Sequence, residues 1–166
     1  MSLSGLPMRS ALAALLFMLS ALAVAAQEAT VAFGGRGDPQ ALIEVTADTL
    51  DVSQQDGRAE YVGNVLVGQG EMRMATERLL VIYDEERRAI ARLEARGGVT
   101  LVNGPDAAEA ESADYDVASG QVELTGDVLL TQGPNAISAE RMNLDLEKGT
   151  ARLTGRVRTI LVPEER

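Results

Sequence analysis

The 166-residue chain contains no cysteine, no histidine and no tryptophan. Without Cys there can be no disulfide framework and no thiolate metal site. Without His, the Ser-His-Asp and Cys-His triads are excluded, as are zinc sites built from His and Cys. Aromatics are few, three Tyr and two Phe. Basic charge is also scarce: 15 Lys and Arg stand against 25 Asp and Glu, a net charge of −10. A nucleic-acid binder needs a basic patch, and this balance argues against one. Carboxylate pairs exist, but Asp114 and Asp116 alternate with Ala113, Tyr115 and Val117. They should therefore face solvent rather than each other across a glycosidase cleft. Gly68-Gln69-Gly70 lacks the third glycine of a dinucleotide loop. No enzyme, cofactor or metal site is expected.

A long apolar run is also missing. The best stretch, Ala11 to Ala26, is interrupted only by Ser20 and falls short of the ~20 residues that span a bilayer. Arg9 is the only charge before Glu28, and the run ends in Ala23, Ala25 and Ala26. A charged start, an apolar centre and an A-x-A-like end mark a secretory signal peptide. Residues 1–26 are expected to be cleaved after Ala25 or Ala26; a retained single-span anchor is the alternative. Residues 27–40 are rich in glycine and small residues and read as a flexible lead-in. Arg36-Gly37-Asp38 and the glycines around it are taken as loop, not as an adhesion or calcium motif.

What the chain does have is period two. From Ala41 onward apolar and polar residues alternate, and turn residues recur every 8–12 positions, which marks an all-β protein. The clearest unit repeats. Ala110-Glu111 and Ala139-Glu140 lie 29 residues apart, as do Gly126 and Gly155. In each copy the Ala precedes the Gly by 16 residues, and Ala47 to Gly63 has the same spacing. A longer copy runs into Gly97, and its register is the least certain. Glu85 to Arg96 contains good helix formers, but strict alternation decides for strand. The four glycines mark either a bend at one level of every copy or the start of a turn.

The inward parity collects Val65, Val67, Met72, Met74, Val81, Leu93, Val99, Tyr115, Val122, Leu124, Val128, Leu130, Met142, Leu144, Leu146, Leu153 and Val157. Two one-sided sheets facing each other would enclose a core or a channel. An aliphatic, Met-containing lining suits a pliable aliphatic ligand; plain core is the other reading. Arg152, Arg156 and Arg158 fall on the outward parity, a solvated face. Pro163 ends the ladder, so the β domain covers 41–162 and residues 163–166 form a tail.

The ordered set Ala110-Glu111-Ser112-Ala113-Asp114-Tyr115-Asp116, Ser119-Gly120, Leu124-Thr125-Gly126-Asp127-Val128, Thr131-Gln132-Gly133 and Ala139-Glu140 resembles the OstA-like domain. That domain occurs in lipopolysaccharide transport proteins: LptA, LptC and the N-terminal part of LptD. The resemblance spans roughly residues 41–160. It implies an open, twisted antiparallel β-jelly roll of about sixteen short strands. It further implies a periplasmic carrier or bridge that moves lipopolysaccharide from the inner to the outer membrane. Lipid A chains would sit among the inward residues. The edge strands, at Ile43 and Val45 and at Val157, Thr159 and Leu161, would stack head to tail. The stacking partners would be LptC-like and LptD-like proteins or further copies. Alternatives are an LptC-like chain or OstA-fold scaffold with a filled core that binds only proteins, and a β-solenoid of 29-residue coils.

Overall fold

The structure is a computed structural model that describes residues 28–163 apart from 85 and 87. The expected signal peptide lies outside the described residues, as do residues 164–166 of the expected tail. Among the described residues there are eleven strands. They are β1 (Glu28–Ala32), β2 (Ile43–Thr46), β3 (Thr49–Ser53), β4 (Arg58–Gln69), β5 (Met72–Asp84), β6 (Ala89–Asn103), β7 (Asp106–Asp116), β8 (Gln121–Gln132), β9 (Asn135–Asp145), β10 (Thr150–Thr154) and β11 (Arg158–Ile160). β4 to β10 form an antiparallel meander of consecutive hairpins. The repeat is thus a hairpin and not a solenoid coil. Residues 89–96, the stretch with helix formers, belong to strand β6.

The repeated glycines bend the strands. In β4, Gly63-Asn64 stand opposite the single residue Glu77, between the pairs Val62↔Arg78 and Val65↔Thr76. The same two-against-one count recurs at Gly97-Gly98 in β6 and Gly126-Asp127 in β8, so each is a β-bulge. Both residues of each unit have positive φ, for instance 87° at Gly126 and 43° at Asp127. Gly155-Arg156, at 81° and 44°, repeat the conformation between β10 and β11. The bulge reading therefore holds and the turn reading does not. A glycine is needed twice over at Gly126. The backbone is left-handed, and a Cβ there would fall on the Glu111 carboxylate.

The line of bulges folds the sheet in two. One half-sheet runs β3, the 58–62 part of β4, 78–84, 89–96, 112–116, 121–125, 141–145, β10 and β1. The other runs β2, 65–69, 72–76, 99–103, 106–110, 128–132, 135–139 and β11. Counted as these short segments, the eleven strands come close to the sixteen implied by the resemblance. The two half-sheets share one core cluster. Tyr115, near the free end of the first, donates its hydroxyl to Gln69 Oε1, at the free end of the second, over 2.9 Å. The free ends of the two halves therefore meet opposite the crease.

Residues 28–41 are part of this domain, which corrects the expectation of a lead-in. β1 pairs in full with β10, and Phe33 is completely buried. The segment 33–41 then crosses between the free ends of the half-sheets. Gly37 N–H donates to the Leu146 carbonyl (2.9 Å) on one side, and Gln69 Nε2 donates to the Pro39 carbonyl (3.0 Å) on the other. Period two could not reveal this segment. Its glycines suggest a loop, and its partners in the rest of the domain lie 28 to 116 residues away in sequence.

Candidate functional site

The space between the half-sheets is lined by the residues that alternation selects. Val65, Val67, Met72, Met74, Val81, Leu93, Val99, Tyr115, Val122, Leu124, Val128, Leu130, Met142, Leu144, Leu146 and Leu153 are all buried, and Val157 packs on them from the edge. Leu79, Ile137 and Phe33 join the same core and were not among the selected residues. Leu79 is hidden in the uniformly apolar run Leu79-Leu80-Val81-Ile82. There the burial pattern slips phase at Glu77, so that Met72, Met74 and Thr76 are inward before it and Leu79 and Val81 after it. The partner strand keeps its phase because its two left-handed residues absorb the slip. β7 and β9 slip likewise at Glu111 and Glu140.

These side chains pack against one another in the structure, and every buried side-chain N and O among the described residues has a hydrogen-bond partner. Val128 and Leu144 are 1% and 0% exposed. A charge placed at either would disrupt the fold, since burying an unpaired charge costs several kcal/mol. Neither position can serve as a selective probe of the interior. Burial pushes the Tyr115 phenol up, so it stays a neutral donor to Gln69.

The slot is closed along the crease and bridged at the free ends, but its two edges are bare. At one, β3 turns Leu50 and Val52 toward the interior opposite Tyr61 and Ala59, yet they remain 50% and 63% exposed. At the other, Ile160, Leu161 and Val162 are also half-exposed or more. Ile43 and Val45, expected at an edge, do lie on edge strand β2 with partly buried side chains. The opposite edge is shared. β11 covers one half-sheet with Thr159 in strand, whereas Val157 precedes it and Leu161 follows it. β1, which alternation did not find, covers the other half-sheet.

The two outer faces differ sharply in charge. The half-sheet containing β3 and β10 carries cross-strand ion pairs: Arg78–Glu60, Arg96–Asp114, Arg141–Glu123 and Arg152–Glu28. Asp114 therefore does face outward, into an ion pair. Arg156 meets Glu140 at 2.6 Å. The other outer face carries fewer charges, Glu44, Arg73, Glu109 and Arg158, and leaves Leu66, Val102 and Leu129 exposed. A hollow of about 480 Å³ lies there beside β2, lined in part by Leu42, Leu66, Arg73 and Val102.

A profile of the family described as "LptA/(LptD N-terminal domain) LPS transport protein" matches residues 44–150. The chain belongs to this family. The LptA/LptD N-terminal match runs from β2 to the first residue of β10, and so takes in the meander from β4 to β9 but not β1, the crossing segment or Gly155. No curated protein matches. Among solved structures, the fold is similar to the crystal structure of LptH from Pseudomonas aeruginosa, titled the LptA-homologous periplasmic component of the lipopolysaccharide transport device. That match has 19% identity and a TM-score of 0.68, and it covers 76% of this chain and 99% of LptH. At this identity the likeness speaks for the fold: an all-β, unclosed antiparallel roll of the LptA type.

Proposed function

We propose that this chain is a periplasmic carrier of lipopolysaccharide that holds the acyl chains between its half-sheets and stacks edge to edge with its neighbours. The observation that carries the reading is the slot with bare apolar edges. Its inner face is mainly aliphatic, with the buried polar side chains Gln69, Asn103 and Asp106 gathered at one rim, and it runs out at Leu50 and Val52 rather than ending in charge. Each acyl CH₂ buried there would contribute about 0.8 kcal/mol. Edge strands with free N–H and C=O groups template pairing with another chain. An LptC-like chain at one edge and an LptD-like chain or a further copy at the other would extend the slot across the periplasm. Because the inner side chains touch each other, lipid entry requires the half-sheets to part.

The packed interior favours a second reading, a scaffold that binds proteins only. Native mass spectrometry of protein purified from the periplasm separates the two. Retained lipid A-bearing molecules, at one per chain, are the expected result. A protein that stays free of lipid when titrated with purified lipopolysaccharide would contradict the carrier reading and leave the scaffold.

A further inference from the structure

The buried polar side chains among the described residues are Gln69, Thr76, Asn103 and Asp106. Three of them hold the segment 33–41. Asp106 Oδ2 accepts the Gly34 N–H at 2.6 Å and Gln132 Nε2 at 2.9 Å. Gln132 Nε2 also donates to the Ala32 carbonyl at 2.6 Å, and Asn103 Nδ2 to the Gly35 carbonyl at 3.3 Å. Gln69 Nε2 donates to the carbonyls of Pro39 and Ala41, at 3.0 and 3.2 Å, while Tyr115 fixes its Oε1. Apart from Tyr115, these groups sit at the free end of the half-sheet that contains β2 and β11. On the opposite half-sheet the segment is held by two backbone bonds, Phe33 N–H to Gly149 and Gly37 N–H to Leu146.

We propose that residues 33–41 are a latch over the long mouth of the slot, and that an acyl chain entering the slot displaces Phe33. The proposal rests on the carrier reading above. The latch is fastened mostly by polar groups at the rim, which water can satisfy once they open. A ladder strand could not be exchanged so cheaply. What opening does lose is the burial of Phe33 and of the apolar row beneath it, and water cannot restore that. A ligand that lies along the slot as an aliphatic chain restores it, so apolar ligand and open latch favour each other. Gly34, Gly35 and Gly37 supply the hinge freedom, and Pro39 keeps the segment from joining the ladder as a strand.

A covalent staple tests this. A Cβ on Gly37 would lie 3.4 Å from Leu146 Cβ, close to the ~3.5–4.5 Å of a disulfide. The chain has no other cysteine to compete. In the G37C/L146C variant the reduced form is the reference for binding of purified lipid A, because Leu146 itself lines the slot. The oxidised form should bind it roughly tenfold or more weakly, with full recovery on reduction. Equal binding by both forms overturns the latch while leaving the carrier reading intact. If the native chain itself binds no lipid A, the carrier reading fails, and hydrogen exchange then judges the latch alone. The Gly34 and Gly37 amides should exchange well before the β8 ladder, and Asp106→Ala should speed only the segment. Exchange of those amides in step with β8 overturns the latch.

Discussion

Single residues set the crease and the turns. Gly126→Ala would force an L side chain to a φ of 87° and push it onto Glu111. A loss of about 1–3 kcal/mol is expected, read as a lower urea midpoint at unchanged slope. Asp127→Gly, at the next left-handed position, should be tolerated. A second residue-scale outcome concerns Asp145. Its carboxylate accepts Lys148 Nζ at 2.6 Å and the Lys148 N–H at 3.0 Å. Together with Gln121 these bonds hold its pKa down at about 2. Asp116, 29 residues earlier, is lowered in the same way by the Ser119 N–H and hydroxyl. A folded-state pKa below the unfolded one means that the carboxylate stabilises the fold above the ordinary carboxyl range. That contribution is lost as pH falls from about 4 toward 2. Carbon-detected NMR titration should place the Asp145 midpoint near 2, and Lys148→Ala should move it up toward the ordinary ~3.9.

At the scale of elements, the edges decide what the molecule can join. Leu50→Lys with Val52→Lys places charge on an edge strand that is already half-exposed. Stability should stay within about 0.5 kcal/mol, while concentration-dependent assembly in the ultracentrifuge should disappear; unchanged assembly would exclude this edge from stacking. The elements also show what a sequence displays and what it hides. Between Arg58 and Leu153 alternation was legible, apart from its phase slips at Glu77, Glu111 and Glu140, because each strand is apolar on one face only. The bulges were legible as a recurring Gly at fixed spacing. Three things were not. β1 pairs with β10 over more than 100 residues of sequence, and five residues, EATVA, carry almost no signal. Segment 33–41 has no period at all, so Phe33 could be placed only by its contacts. The polar row of Gln69, Asn103 and Asp106 reads as ordinary turn chemistry until the fold turns it inward.

For the whole molecule, the central claim is that the slot between two half-sheets accepts an aliphatic chain. The fold arranges this simply: a row of bulges creases one sheet, the inner faces meet, a short segment bridges the free ends, and the edges stay open. Ion pairs occupy one outer face and leave the inner face apolar. The alternation that identified the inner residues explains why they can form a core, and it cannot say whether they part for a ligand. The methionines provide a direct reporter. Met72 and Met74 line one half-sheet and Met142 the other, and all three are buried; the remaining three Met lie at positions 1, 8 and 18. With ¹³C-methyl labelling of Met, Val and Leu in the chain from Gln27 onward, titration with lipid A should shift all three methionine methyl resonances together. The outward methyls of Val102 and Leu129 should stay in place. Shifts confined to Val102 and Leu129, with the three methionines unmoved, would contradict the account.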